Sequence, residues 1–99
     1  MASGAVQALM RTNIGYTSEE SVPEPMKDMM VNDLDTAVAD LARDGIIVDE
    51  KKADDRNLIV MYAVWLWNRR KTGEGKPEML ALAIRNRQVS QATTRGAGS

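Results

Sequence analysis

The sequence of 99 residues contains no cysteine and no histidine. Without cysteine, the chain can form neither a disulfide framework nor a thiolate metal site. Without histidine, it lacks the commonest metal ligand and the commonest general base of proteins. Asp, Glu, Lys or Ser could still act in catalysis, but the sequence shows no paired constellation of such residues. We therefore expect a protein that is not an enzyme, with no catalytic residue, no metal and no cofactor.

Signals for secretion and for membrane insertion are also missing from the sequence. The N-terminus has no basic segment followed by an apolar core and a small-residue cleavage site, so we expect a protein of cytoplasmic origin. The longest apolar run, residues 58–67, includes both tryptophans. A membrane-spanning helix needs roughly 20 apolar residues, about twice this length. The run is therefore predicted to be the central helix of a core.

Charge is distributed unevenly along the chain, although the net charge is only -1. Residues 1–50 carry three basic and ten acidic side chains, a balance of -7, whereas residues 51–99 carry ten basic and four acidic side chains, a balance of +6. Two interpretations stay open. Either the two charged faces cancel within one monomer, or copies meet acidic face to basic face in a head-to-tail contact.

Apolar spacing predicts helices in the first half of the chain. A short helix is expected over residues 3–11, followed by a loop at residues 17–25. Residues 26–41 have apolar side chains at intervals of three and four, which is typical of a surface helix with one buried stripe. Pro25 suits the first turn of this helix, and Gly45 suits a left-handed C-terminal stop.

The second half predicts two more helices joined to the first half by a connector. Asp54 or Asp55 is expected to cap the helix that contains the long apolar run. A last helix over residues 77–91 is expected to pack antiparallel on it. Its packed side should carry Met79, Leu80, Ala83, Ile84 and Val89, with Leu82 offset and with Arg85 and Arg87 exposed. Residues 46–48 are predicted to be an extended connector that packs against the helices. The alternative is that they pair with an extended segment of another subunit.

Together these elements predict an all-α fold, a small bundle of about four helices with an extended connector and a flexible C-terminal tail. The bundle is expected to occupy residues 1–92 as one domain. The tail is predicted from its small, polar and glycine-rich composition, and it should become ordered only on a partner. Its residues are Thr93, Thr94, Arg95, Gly96, Ala97, Gly98 and Ser99.

Aromatic and basic side chains are the candidates for binding. Tyr62, Trp65 and Trp67 have polar edges, so they are expected near the boundary of the core or in a subunit contact. A basic cluster could neutralise several phosphates, which supports an alternative function as a small nucleic-acid-binding regulator. The tryptophans are not interleaved with the charges as a base-stacking platform would require. The cluster contains Arg69, Arg70, Lys71, Lys76, Arg85 and Arg87.

The order of these segments resembles a known family. An acidic helix ends in Leu-Ala-Arg-Asp-Gly-Ile (residues 41–46), and a short connector leads to a helix that opens with aspartate. That helix carries the apolar and aromatic run into Asn68-Arg69-Arg70, and an arginine-bearing helix follows a glycine-containing loop. Over roughly residues 26–90 this arrangement resembles the head-tail connector, or neck adaptor, family of tailed bacteriophages.

The resemblance implies a structural protein of the virion neck that is assembled in the bacterial host cytoplasm. Members of the family form a ring, usually of twelve copies, beneath the portal protein, and they extend the channel through which double-stranded DNA passes. Portal protein and another neck or tail protein are the implied partners, and the tail at residues 93–99 is expected to bind the portal. Exposed apolar edges such as Trp67 would lie between neighbours. The expected subunit interface contains Trp67, Arg69, Arg70, Asp33 and Asp40.

Overall fold

The computed structural model describes residues 4–16, 18–73 and 75–97, with side chains described as far as Gln91 except for Glu19 and Lys71. Within these residues the chain forms four α-helices and one short 3-10 turn, and no strand. The predicted all-α bundle is therefore confirmed. The helices are α1 (Gly4–Asn13), α2 (Glu24–Arg43), α3 (Ala53–Thr72) and α4 (Glu78–Ala97), and the turn is Glu19–Ser21.

Both ends of α2 follow from the local sequence. Pro25 lies in the first turn, where its missing N–H costs no helical hydrogen bond. Gly45 has a positive φ of 87°, and its N–H donates to the carbonyl of Ala42 at 3.0 Å. The next N–H, that of Ile46, donates to the carbonyl of Leu41 at 2.8 Å. This pair of bonds is the Schellman arrangement, and it turns the buried Ile46 back towards the core.

Helix α3 begins slightly earlier than predicted and without the predicted cap. Lys52 occupies the N-cap position and makes no capping bond with its side chain. Asp54 and Asp55 lie inside the first turn, so the prediction that one of them is the cap is wrong. The carboxylate of Asp55 instead accepts a hydrogen bond from the backbone N–H of Asp49 at 2.7 Å. The helix ends at Gly73, which is left-handed with a φ of 68°.

The core surrounds α3. Buried side chains of this helix occupy several faces, because Leu58, Ile59, Val60, Ala63 and Trp67 are all buried. They pack with apolar side chains from the other three helices and from the connector. The largest fully buried side chains are Met10, Leu34, Leu41, Ile46, Ile59, Leu80 and Val6. The prediction that residues 58–67 form the central helix is thus confirmed.

Helix α4 runs antiparallel to α3, as predicted. Near its start, Lys76 lies over the ring of Trp65, and further along Arg87 pairs with Asp55 at the beginning of α3. The helix continues to Ala97, about one and a half turns beyond the predicted end near residue 91. Of the predicted tail, residues 93–97 contribute backbone to α4, and Gly98, Ser99 and the side chains from residue 92 onward lie outside the described residues.

Among the described helices, none combines the length and the hydropathy that crossing a membrane would require.

Candidate functional site

An ion pair with a buried carboxylate joins α2 to α3. The two terminal guanidinium nitrogens of Arg70 donate to the two carboxylate oxygens of Asp33, each at 2.6 Å. The Asp33 side chain is only 3% exposed, whereas that of Arg70 is 40% exposed. Such a two-point bond is strong and directional because it is charged and planar. Two residues predicted for a subunit interface therefore bind each other within one chain.

A second contact between the same helices involves Tyr62 and Asp40. The hydroxyl of Tyr62 donates to a carboxylate oxygen of Asp40 at 3.1 Å, and Arg43 lies 3.3 Å from the other oxygen of Asp40. Burial of the phenol, followed by the negative charge of Asp40 and the hydrogen bond to it, raises the pKa of Tyr62 to about 12. The hydroxyl of Tyr62 is thereby kept protonated and acts as a donor.

Two basic side chains stack on the partly exposed ring of Trp65. The guanidinium of Arg69 lies 5.3 Å from the centroid of that ring. The ammonium of Lys76 lies 5.6 Å from it and 5.1 Å from the ring of Tyr62. The two aromatic rings meet edge to face at 5.3 Å. These distances are those of cation–π contacts, so Arg69 and Lys76 cover this edge of the core.

Trp67 lies on a different side of α3 from Trp65. Its side chain is only 9% exposed, and it belongs to the same buried cluster as Val60 and Ala63. Residues at spacings of three, four and seven share one helix face, and Val60, Ala63 and Trp67 have this spacing. The expectation that Trp67 presents an exposed apolar edge is therefore wrong.

Asp55 is the centre of a polar cluster that sequence reasoning missed. It pairs with Arg87 of α4 and accepts the backbone N–H of Asp49 from the connector. Burial raises the pKa of this carboxyl, but the bond from Asp49 and the contact with Arg87 outweigh burial, so the pKa lies below its ordinary value. A charged Asp55 thus holds α3, α4 and the connector together. In the sequence it resembled a helix cap, and nothing indicated its distant partners.

Two glutamines of α4 bind the backbone beside α2. The side-chain amide of Gln91 accepts the N–H of Ile47 at 3.0 Å and donates to the carbonyl of Ile47 at 2.9 Å. The amide of Gln88 donates to the carbonyl of Asp44 at 2.8 Å. Residues 46–49 of the connector belong to neither a helix nor a strand. The alternative, strand pairing with another subunit at Ile47, would have to displace Gln91, because Gln91 already bonds the groups that a strand would use.

Helix α4 has two apolar faces, and the chain covers one of them. Leu80 and Ile84 face the core, whereas Met79, Leu82 and Val89 are 77%, 54% and 62% exposed. At 3.6 residues per turn, the centres of the two groups lie on nearly opposite sides of the helix. The prediction that Met79 and Val89 belong to the core is wrong. We call Met79, Leu82 and Val89 the outer stripe of α4.

Much of the predicted basic cluster is engaged within the chain. Arg70 and Arg87 bind carboxylates, and Arg69 and Lys76 lie over aromatic rings. Arg85 is exposed on α4, and Lys71 falls outside the described side chains. These contacts do not form the row of outward-facing charges that would follow a nucleic-acid backbone.

The described residues contain no cluster of three acidic side chains placed to hold a metal ion. Open grooves lie on either side of the connector. One lies between the connector and α4 and includes Asp55 and Arg87. The other, of about 890 Å³, lies where α1, α2 and the connector meet. We call the second one the α2 groove.

Searches against protein-family models, curated proteins and solved structures find no match to this chain.

Proposed function

We propose that the chain is a structural head-tail connector subunit that forms a homo-oligomeric ring beneath a phage portal. The observation that carries the proposal is the outer stripe of α4. Three large apolar side chains lie on one side of the helix and remain exposed to solvent, with the polar Arg85 and Asn86 between Leu82 and Val89. Exposed large apolar side chains that share one helix face and are bordered by polar residues are typical of a surface that another protein covers. The stripe therefore supports a function in assembly.

The internal ion pairs support the same proposal. Asp33 with Arg70 joins α2 to α3, and Asp55 with Arg87 joins α3 to α4. Because these pairs hold the helices in place, the surfaces of one subunit keep a fixed orientation relative to one another. A closed ring needs such constancy, because each heterologous contact must repeat with the same rotation.

The proposed partners are further copies of the chain, a portal protein and another neck or tail protein, with double-stranded DNA passing through the ring. The proposed location is the neck of the virion. Residues 93–99 remain the proposed portal-binding segment. Deleting them is expected to weaken assembly with portal. The melting temperature of the monomer should stay nearly unchanged, because the core described among residues 4–91 is built without them.

Light scattering coupled to size-exclusion chromatography tests the proposal, with the chain alone and mixed with portal. We expect a ring or a portal complex for the natural chain, and its loss in the Leu82→Glu variant, which places a charge in the outer stripe. Asn57→Glu is the matched control, because Asn57 is also exposed on a helix but lies outside the stripe. Circular dichroism should show that both variants keep the fold.

A different result would favour the alternative function. If the chain stays monomeric with portal and binds duplex DNA with an affinity that falls steeply as salt rises, it is a nucleic-acid-binding regulator. In that case Arg85→Ala should weaken DNA binding, whereas Leu82→Glu should affect it less. Assembly with portal that depends on Leu82 would exclude this outcome.

A further inference from the structure

We propose that the outer stripe of α4 pairs with the same stripe of a second copy, in an antiparallel arrangement around a two-fold axis beside Leu82. A two-fold contact joins two copies and cannot repeat around a ring, because each copy uses the same patch. The pairing therefore goes beyond the proposed function. It covers the stripe in the free chain, and it has to open before the stripe contacts a neighbour in the ring.

Two opposite charges share the exposed face of α4 with the outer stripe. At intervals of four, three and four residues, which follow one helix face, lie the exposed Glu78, Leu82, Arg85 and Val89. The remaining charged residue among the described side chains of this helix, Arg87, lies on the covered side and binds a carboxylate of α3. The free face thus carries one negative and one positive side chain about 10 Å apart along the helix.

Antiparallel pairing matches these charges twice. When Glu78 of one copy lies opposite Arg85 of the other, the two-fold axis places the second Arg85 opposite the second Glu78. In this register Leu82 of each copy lies against Ala81 of the other, which is also exposed. The small side chain of Ala81 allows the close approach of about 8–10 Å between axes that packed helices adopt. Met79 borders this apolar centre, and an ion pair lies on each side of it.

Other pairings of the same face bring like charges together. Two parallel helices in one register would place Glu78 beside Glu78 and Arg85 beside Arg85. An antiparallel pair in which Leu82 faces Val89 has its axis near residue 85, so the two Arg85 side chains would meet. Like charges placed together in this way are unfavourable. The face is complementary to itself in the register around Leu82, and a second copy is therefore the partner that the charges specify.

Disulfide trapping tests the register, and the chain contains no natural cysteine. In the proposed pair the two Leu82 positions flank the axis, whereas the two Val89 positions lie about 20 Å apart along the helices. A disulfide requires Cα atoms within about 7 Å of each other. During mild oxidation of the chain without portal, Leu82→Cys should form a covalent dimer several-fold faster than Val89→Cys. Both positions are exposed, so both variants should keep the fold.

Equal rates for the two cysteine variants would overturn the proposed register. The parallel pair predicts equal rates because it brings both positions into contact with their own copies. The antiparallel pair with its axis near residue 85 also predicts equal rates, because Leu82 and Val89 lie equally far from that axis. Cross-linking of Leu82→Cys no faster than that of Val89→Cys therefore contradicts the proposal in every case.

Light scattering of the chain without portal tests the ion pairs. Glu78→Arg and Arg85→Glu should each raise the dissociation constant of the dimer several-fold, because each places like charges opposite one another. The double variant should return the constant close to its natural value, since the charges are exchanged and match again. Asp28→Arg is the matched control, because it makes the same charge change as Glu78→Arg at an exposed position of α2. A double variant that dimerises no more tightly than the single variants would overturn the proposal.

Because these experiments omit portal, failure of the pairing is distinguishable from failure of the proposed function. A natural chain that stays monomeric alone and forms a ring with portal overturns the pairing and supports the proposed function. A dimer that portal does not convert into a ring or a portal complex supports the pairing and contradicts the proposed function.

Discussion

Two tryptophans separated by one residue on α3 lie in different surroundings. The side chain of Trp67 is buried with Val60 and Ala63, whereas Trp65 is partly exposed beneath Arg69 and Lys76. Two identical side chains therefore have different roles. One ring fills the core, and the other supports a layer of positive charge at the surface.

This difference predicts unequal effects of truncation. Trp67→Ala should lower the free energy of unfolding by about 3–5 kcal/mol, because it removes a buried aromatic ring and leaves a cavity. Trp65→Ala should lower the free energy of unfolding clearly less, since part of the Trp65 ring is already in contact with water. Urea denaturation followed by circular dichroism measures both values. Equal losses, or a larger loss for Trp65→Ala, would contradict the assignment of Trp67 to the core.

The hydroxyl of Tyr62 predicts a dependence of stability on alkaline pH. Its pKa is raised to about 12 in the fold, whereas an ordinary tyrosine has a pKa of about 10. The stabilisation is therefore complete below pH 10 and is lost as pH rises from about 10 through about 12, because the unfolded chain releases its proton first. The stability of Tyr62→Phe should fall less across that window. Denaturation at a series of pH values measures the difference, and equal slopes would exclude the effect.

At the scale of elements, charged pairs determine how the helices are joined. Helix α2 binds α3 through Asp33 and Arg70, with the aspartate almost fully buried. Helix α4 binds α3 and the connector through Arg87 and Gln91, which bond to Asp55 and Ile47. These polar contacts fix the position of each helix along its neighbour, because every donor must lie next to its acceptor.

The pair between Asp33 and Arg70 predicts a strong asymmetry between single and double substitutions. Arg70→Ala leaves a buried carboxylate unpaired and should cost about 2–3 kcal/mol, somewhat less than for a fully buried pair because Arg70 is partly exposed. Asp33→Leu combined with Arg70→Leu should cost less, since no charge remains uncompensated.

Arg69→Ala is the control for that experiment. It removes a neighbouring arginine that stacks on Trp65, and such a contact contributes about 0.5–1 kcal/mol at an exposed site. Urea denaturation at neutral pH compares the variants. A double substitution as damaging as Arg70→Ala would show that packing, and not the unpaired charge, dominates the loss.

The whole molecule is elongated, with extents of 47 × 28 × 18 Å, and its two halves carry opposite charge. Some of that charge is neutralised internally by pairs between the halves, such as Asp33 with Arg70. Other charged side chains, such as Arg85 on α4 and Asp28 on α2, lie on exposed surfaces. Charge complementarity between copies therefore persists after the monomer has folded.

Salt should consequently weaken assembly more than it weakens the fold. Raising ionic strength from about 0.1 M to about 1 M shortens the screening length from about 10 Å to about 3 Å. We expect the apparent dissociation constant of the oligomer to rise over this range while the melting temperature of the monomer changes little. Sedimentation velocity at several salt concentrations measures the apparent dissociation constant. Assembly that strengthens with salt would indicate a contact dominated by apolar burial.

The sequence by itself determined that four helices form, and it determined both ends of α2. Apolar spacing and the glycine at position 45 predicted α2, and the apolar run predicted α3 as the central element, because backbone and hydropathy preferences act locally. Helix α4 ended later than predicted, since the small and polar residues after Gln91 carry no strong local stop signal.

Only the tertiary structure decided which side chains meet. Asp55 bonds to a connector residue and to α4 instead of capping its own helix, and Trp67, not Trp65, enters the core. The apolar residues of α4 divide between a covered face and an exposed stripe. Spacing along one helix indicates which face each side chain lies on, but it does not indicate where the neighbouring helices lie. The burial of a side chain depends on those neighbours.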